Sequence, residues 1–201
     1  MSPKNTLIIN LFGGPAAGKT TCAWEIASKL KKQRLVTEYV SEYAKELVWD
    51  EKFDLLDGSE ANQRHIFEVQ THRVERLVGK VDAVVTDATL LNSLVYGKEV
   101  SSTFREEIID NFLRFNNFNL FIQRASYFEQ EGRVHDLEQS LALDEKIIDI
   151  LVGNKIPFET YSHRTLDLVV MRICLLIDKN AKYFTFFRRK KVVWRVSCYK
   201  S

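Results

Sequence analysis

The chain has 201 residues, a length that fits one domain of ordinary size rather than two. Hydrophobic residues make up 45% of it and charged residues 28%, which excludes disordered, collagen-like and low-complexity fibrous proteins. No stretch is apolar over the roughly 18 residues that a membrane helix needs, and residues 1–5 lack the pattern of a secretory signal, so we expect a cytoplasmic protein. Three cysteines, none in a Cys-x-x-Cys pair, predict neither a disulfide framework nor a zinc cluster.

The net charge of +2 conceals an uneven distribution along the chain. Residues 180–201 hold seven Lys or Arg and no acid, whereas the rest of the chain holds 22 basic and 27 acidic residues. We therefore predict one domain over residues 1–179 and a basic, aromatic extension or hairpin over residues 180–201. Such asymmetry is typical of a contact with nucleic acid, and a solvated basic hairpin gives the same pattern.

Short apolar runs predict five strands, in chain order at residues 6–12, 35–40, 81–87, 119–123 and 156–161. Apolar residues at helical spacing predict helices at residues 19–32, 43–51, 60–79, 90–96, 103–115, 137–152 and 165–176. Strands that alternate with helices are joined by right-handed crossovers, which produce a parallel sheet. We therefore predict a three-layer α/β sandwich with a five-stranded parallel sheet and helices on both of its faces.

A glycine-rich motif follows the first predicted strand. Residues 13–20 read Gly-Gly-Pro-Ala-Ala-Gly-Lys-Thr and match the pattern G-x-x-x-x-G-K-[ST]. Because the motif lies between a strand and a helix, its backbone N–H groups and the start of the helix can surround a phosphate. Lys19 can reach the β- and γ-phosphates of a nucleotide, and the Thr20 hydroxyl can ligate Mg²⁺. The predicted ATP-binding residues are Gly13, Gly14, Pro15, Ala16, Ala17, Gly18, Lys19, Thr20 and Thr21.

Three carboxylates are candidates for the chemistry around this loop. Asp87 ends the third predicted strand, so we predict that it holds Mg²⁺ together with Thr20; the alternative is that it caps the next helix. Glu38 stands near the carboxyl end of the second strand, where ligands of open α/β sheets bind, and we predict it as the general base that accepts a proton from a substrate hydroxyl. Glu42, four residues on, either shares the substrate site or is an ordinary surface residue.

Four further side chains are predicted near the substrates. Arg124 follows the fourth strand and Arg133 lies nine residues later, so both can neutralise charge on the transferring phosphoryl group from a short lid, or form surface salt bridges instead. Gln70 and Arg73 share one helix face with Gln63, and this face either reads a nucleobase edge or is solvated.

The order of these pieces resembles the small P-loop kinases related to the ribosylnicotinamide kinase domain, above all the AAA-like ATP-binding proteins frequent in bacteriophage genomes. The resemblance covers residues 6–177 and rests on residues 13–20, 37–46, 70–73, 86–89 and 129–136. Within the wider group, some members are nucleoside or nucleotide kinases and others phosphorylate 5-hydroxymethyluracil in phage DNA. The resemblance implies a P-loop NTPase fold, with ATP and Mg²⁺ as cofactors.

The same resemblance implies a role for each candidate residue: Lys19, Thr20 and Asp87 for the nucleotide and Mg²⁺, Glu38 for the acceptor, and Arg124 and Arg133 for the lid. Two functions are then open. The first is a kinase that moves the γ-phosphoryl group of ATP to a hydroxyl of a nucleoside, a nucleotide or a hydroxymethylated pyrimidine in DNA. The second is a nucleotide-hydrolysing switch or ATPase module that acts on a macromolecular partner. A carboxylate at the acceptor side favours the kinase, because a switch needs a residue that orients water instead.

Overall fold

A computed structural model of the chain describes residues 4–124, 137–162 and 165–177. Its sheet consists of five strands, β1 (Leu7–Phe12), β2 (Thr37–Val40), β3 (Ala83–Thr86), β4 (Asn116–Ile122) and β5 (Glu159–Tyr161). All neighbouring strands run parallel, and their order across the sheet is β2-β3-β1-β4-β5. The predicted five-stranded parallel sheet is therefore confirmed.

The helices are α1 (Lys19–Lys32), α2 (Tyr43–Trp49), α3 (Glu60–Glu75), α4 (Asn92–Tyr96), α5 (Ser102–Leu113), α6 (Leu137–Gly153) and α7 (Leu166–Ile177). A short 3-10 helix, Phe53–Leu56, lies between α2 and α3, where the sequence predicts neither a helix nor a strand. The predicted lid residues 129–136 and the basic residues 180–201 lie outside the described part of the chain.

The side chains of β1 alternate between two apolar layers, as the pleat of a strand requires. Leu7, Ile9 and Leu11 join the layer that contains α1 and α7, whereas Ile8 and Phe12 face the layers of α3, α5 and α6. All six residues of β1 are buried because helices cover both faces of the sheet. The predicted three-layer sandwich is confirmed.

The start of β4 differs from the predicted start, because hydrogen-bonded pairing with β1, and not hydrophobicity, sets this boundary. β4 begins at Asn116, three residues before the predicted start, because Asn116 and Asn117 pair with Leu7 and Ile8 of β1 although they are polar. Asn10 of β1 donates hydrogen bonds to Asn117 (2.9 Å) and Asn119 (3.0 Å), which accounts for polar residues in the middle of the sheet.

The strand order predicts a crevice beyond the carboxyl ends of β1 and β4. The chain leaves β1 for β2 at one side, and it leaves the neighbouring β4 for β5 at the other side. In open α/β sheets, ligands bind beyond the carboxyl ends of two strands whose connections diverge in this way. The loop after β1 is the glycine-rich motif, and Arg124 follows β4, so both flank the crevice.

Candidate functional site

The loop of residues 13–18 joins β1 to α1, and the glycines at positions 14 and 18 show why it needs residues without side chains. Gly18 precedes α1 with a φ of 88°, a left-handed conformation that disfavours residues with side chains. Gly14 passes so close to α6 that an added Cβ would lie 2.5 Å from the carbonyl oxygen of Ser140. The loop is therefore both tightly turned and pressed against a neighbouring helix.

The Lys19 side chain folds back over this loop. Its Nζ donates hydrogen bonds to the carbonyl oxygens of Gly13 (2.6 Å) and Gly14 (2.9 Å). Burial lowers the pKa of Lys19, while the nearby carboxylates of Glu42, Asp87 and Asp144 act in the opposite direction. The ammonium group thus lies inside the loop, among carbonyl dipoles and near three acidic groups.

Asp87 follows β3 directly and is only 3% exposed. Its Oδ2 accepts a hydrogen bond from the Thr20 hydroxyl (2.5 Å), and its Oδ1 accepts one from the Tyr39 hydroxyl (2.8 Å). Thr20 lies in the first turn of α1, so the structure brings the two predicted Mg²⁺ ligands into direct contact. Hydroxyl and carboxylate oxygens are the donors that Mg²⁺ takes, and this pair therefore fits such an ion.

Two protein oxygens do not complete the coordination of Mg²⁺, so its other ligands would be water molecules and phosphate oxygens of the nucleotide. Among the described residues, no group of three or more His, Cys, Asp or Glu could hold a metal ion. This agrees with Mg²⁺ chemistry, because Mg²⁺ is commonly bound by one or two protein oxygens together with water and substrate phosphates.

The structure does not bring Glu38 to this site. Glu38 is exposed, and its carboxylate pairs with Lys31 Nζ at 3.2 Å. Lys31 lies 12 residues after Lys19 on the same helix, which corresponds to about 18 Å at 1.5 Å per residue. Glu38 also pairs with Val84 in the sheet, three residues before Asp87. The prediction of Glu38 as general base is therefore corrected. Glu38 lies within β2, before the carboxyl end of the strand, and its exposed carboxylate pairs with Lys31 at the far end of α1 from the loop.

Glu42 lies beyond the carboxyl end of β2, in the turn before α2. It precedes the first residue of α2, and its side chain makes no capping hydrogen bond to that helix. Burial raises the pKa of Glu42 and the charge of Asp87 adds to this effect, whereas Lys19 and Lys45 oppose it. Glu42 is thus close enough to both Lys19 and Asp87 to interact with their charges.

Gln70 and Arg73 contact the segment that carries Glu42. The Gln70 side chain accepts a hydrogen bond from the backbone N–H of Tyr43 (3.1 Å) and donates one to the carbonyl oxygen of Ser41 (3.1 Å). Arg73 forms two hydrogen bonds with the carboxylate of Glu46, at 2.7 and 2.6 Å. Both side chains therefore hold the turn between β2 and α2, and in this structure they position Glu42 instead of presenting free groups to a substrate.

Arg124 is part of a clamp on the loop. Its Nε donates to Asp144 Oδ2 (2.6 Å), and one terminal nitrogen donates to the carbonyl oxygen of Pro15 (2.8 Å). Asp144 in turn accepts a hydrogen bond from the backbone N–H of Gly14 (2.5 Å), and the Ser140 hydroxyl donates to Pro15 (2.6 Å). We call Arg124, Ser140 and Asp144 the loop clamp. Arg124 thus contacts the backbone of the loop, whereas the sequence predicted a role at the transferring phosphoryl group.

Four residues of the site were missed by the sequence analysis: Tyr39, Tyr96, Ser140 and Asp144. Tyr96 ends α4, and burial raises the pKa of its hydroxyl, with the charges of Glu42 and Asp144 adding to the effect. Ser140 and Asp144 are one helical turn apart on α6, so they present oxygens on one face. A serine and an aspartate four apart carry no distinctive pattern, which explains why the sequence did not reveal them. Arg133 lies outside the described residues.

Comparison with known protein families assigns the chain to a family. A family model described as an AAA domain matches residues 8–165, more than half of the chain. The chain belongs to this AAA domain family. No curated protein was found to match the chain in sequence.

Solved structures share the architecture of this AAA domain at low sequence identity. An NadR protein in complex with NR superposes with a TM-score of 0.60 at 18% identity, over 82% of this chain and 51% of that chain. Thymidylate kinase from Ehrlichia chaffeensis superposes with a TM-score of 0.51 at 15% sequence identity, over 87% of this chain and 100% of that chain. Kti12 from Chaetomium thermophilum, in complex with ADP-AlF3, superposes with a TM-score of 0.52 at 14% sequence identity, over 85% of this chain and 99% of that chain. The present chain spans about half the length of the NadR chain, and these likenesses establish the fold.

No helix within the described ranges is long and apolar enough to cross a membrane.

The loop clamp leads to a prediction about stability. The side chains of Arg124 and Asp144 are only 15% and 12% exposed, so Asp144→Ala leaves a buried guanidinium without its counterion. We expect the free energy of unfolding to fall by about 3–5 kcal/mol, the usual effect of breaking a buried pair. The matched control is Asp167→Ala, which removes an exposed partner of Lys29 and should cost less than about 1 kcal/mol. Urea unfolding measures the free energy of unfolding of both variants. Equal losses of this free energy in the two variants would contradict a stabilising role of the loop clamp.

Proposed function

We propose that this AAA domain protein is an ATP- and Mg²⁺-dependent kinase that transfers the γ-phosphoryl group of ATP to a hydroxyl group. The observation that carries the proposal is the position of Glu42. Glu42 lies on the turn after β2, which Gln70 holds from both sides, and is near enough to Lys19 and Asp87 for their charges to interact. A carboxylate near the lysine of the loop that does not cap its own helix is suited to accept a proton from a substrate hydroxyl.

Each group of the site then has a chemical task. The loop of residues 13–18 surrounds the phosphates with backbone N–H groups, and Lys19 supplies a positive charge to the β- and γ-phosphates. Thr20 and Asp87 would hold Mg²⁺, which neutralises charge on the phosphates when it is bound. Glu42 takes the proton of the acceptor hydroxyl as the new oxygen–phosphorus bond forms. The bond between the γ-phosphorus and the bridging oxygen breaks, and ADP leaves.

The acceptor that we propose is a nucleoside, a nucleotide or a hydroxymethylated pyrimidine in DNA. Two of the structures with this fold are an NadR protein bound to NR and a thymidylate kinase, which supports an acceptor of nucleoside type. Tyr96 would face this acceptor together with Glu42, because it lies near enough to Glu42 and Asp144 for their charges to act on its hydroxyl. Transfer of radiolabelled γ-phosphate to nicotinamide riboside, nucleosides, nucleoside monophosphates and hydroxymethylated DNA tests the proposal. ATP hydrolysis that no acceptor accelerates would favour a nucleotide-hydrolysing switch instead.

Glu42→Gln tests the proposed base directly. The amide keeps the size of the side chain but removes the basic oxygen, so kcat should fall by about 10²–10⁴-fold while the affinity for ATP stays near that of the parent chain. The control is Glu38→Gln, because Glu38 pairs with Lys31 far from the loop and should retain parental kcat. A loss below tenfold in Glu42→Gln at saturating acceptor would assign Glu42 a structural role.

Lys19→Ala tests the assignment of the loop. The substitution removes the only charge that the motif itself brings to the phosphates, and we expect phosphoryl transfer to be abolished in a folded protein. Lys29→Ala is the control from the same helix, since Lys29 pairs with Asp167 at the protein surface. Turnover by Lys19→Ala at the parental rate, with an unchanged thermal melt, would contradict the role of the loop.

The basic residues 180–201 lead to a test that separates DNA from a small acceptor. Seven positive charges and several aromatic residues are suited to contact a phosphate backbone and to stack on bases. If DNA is the acceptor, truncation after Lys179 should raise the KM for DNA and flatten its salt dependence, with little effect on a nucleoside. Measurement of kcat/KM at two salt concentrations decides this. Equal use of DNA by the truncated and full-length chains would exclude the contact.

A further inference from the structure

Tyr39 connects the edge strand of the sheet to the metal-binding carboxylate. In the sheet, Tyr39 pairs with Val85, two residues before Asp87, and its long side chain reaches past that level. The Tyr39 hydroxyl donates to Asp87 Oδ1 at 2.8 Å, while Thr20 donates to Oδ2 at 2.5 Å. Each oxygen of the buried carboxylate therefore has its own donor. One donor belongs to the glycine-rich motif, and the other lies outside it.

The position of the tyrosine ring is itself constrained. Trp24 of α1 packs edge-on against Tyr39, with ring centroids 6.4 Å apart and an interplanar angle of 78°. The phenol O–H is a donor and the carboxylate oxygen is an acceptor, so the 2.8 Å contact is a hydrogen bond that Tyr39 donates to Asp87.

We propose that Tyr39 is a positioning residue that sets the orientation of the Asp87 carboxylate for a divalent cation bound with a nucleotide. A carboxylate turns about its Cβ–Cγ bond, so a donor fixed on Oδ1 also fixes the direction of Oδ2. Here Oδ2 points to the Thr20 hydroxyl, the other oxygen suited to Mg²⁺. Partners of this kind commonly govern the affinity of a metal site without touching the metal. The inference rests on the proposed function in one respect, namely that Mg²⁺ and ATP bind at this loop.

The experiment measures binding, so that it does not depend on an acceptor. Binding of a fluorescent ATP analogue to the full-length chain is followed by anisotropy, over a range of Mg²⁺ concentrations and in EDTA. Tyr39→Phe keeps the ring against Trp24 and removes only the hydroxyl. The Mg²⁺ concentration at half-maximal nucleotide binding should rise about tenfold, the lower end of the effect of such partners. Affinity in EDTA should not change.

Two further variants make the result specific. Tyr43→Phe removes a hydroxyl four residues away that contacts His65 Nε2 (3.2 Å) rather than Asp87, and its Mg²⁺ midpoint should equal that of the parent chain. If Tyr39 acts through Asp87, adding Tyr39→Phe to Asp87→Asn should shift the midpoint no further. Thermal melts of all variants show whether any change comes from stability alone.

Several outcomes would overturn the inference. A Tyr39→Phe midpoint equal to that of the parent chain, with or without a lower melting temperature, would mean that the hydroxyl only satisfies a buried carboxylate. An additive shift in the double variant would mean that Tyr39 acts by another route. If the parent chain shows no Mg²⁺-dependent nucleotide binding, both this inference and the proposed function fail. If the midpoint shifts as expected but no acceptor is phosphorylated, the kinase proposal alone fails.

Discussion

The pairing of β1 with β3 and β4 is the constraint on which the rest of the structure depends. All six residues of β1 are buried, so every backbone N–H and C=O group of this strand needs a partner within the sheet. Parallel strands on both sides supply those partners, and helices on both faces bury the side chains. As a consequence, the loop after β1, Asp87 after β3 and Arg124 after β4 all emerge at one edge, although they are far apart in the chain.

That edge concentrates charges that would be costly if they lacked partners. Asp87 accepts hydrogen bonds from Thr20 and Tyr39, and Asp144 accepts them from Gly14 and Arg124. An isolated buried carboxylate would instead take up a proton or destabilise the fold by several kcal/mol. The hydrogen bonds of the clamp and of the Thr20–Asp87 pair therefore stabilise the fold at this end of the sheet. Lys19 differs from these groups in that its ammonium group is bonded to carbonyl oxygens of the loop.

The contrast between Glu38 and Glu42 shows where inference from the sequence reached its limit. The prediction correctly ended the second strand at Val40, but it placed Glu38 at the edge of the sheet. The register shows that Glu38 lies level with Val84, about 10 Å below Asp87 at roughly 3.3 Å per residue. Glu42 lies beyond the end of the strand and turns toward Lys19, because Gln70 holds the neighbouring backbone. Strand register and side-chain contacts of this kind are set by residues distant in the chain.

The sequence by itself determined the sheet, the order of its elements and the loop, because hydrophobic period, glycine positions and the Gly-Lys-Thr ending are local properties. It also predicted that Lys19, Thr20 and Asp87 lie near one another, since each lies at the end of a recognisable element, and the structure brings them together. Only the tertiary structure decided the start of β4 among asparagines, the separation of Glu38 from the loop, and the hydrogen-bond partners of Tyr39, Ser140 and Asp144. The reason is physical: these features depend on hydrogen bonds between residues that lie as many as 130 positions apart, such as Gly14 and Asp144, and no local pattern encodes such contacts.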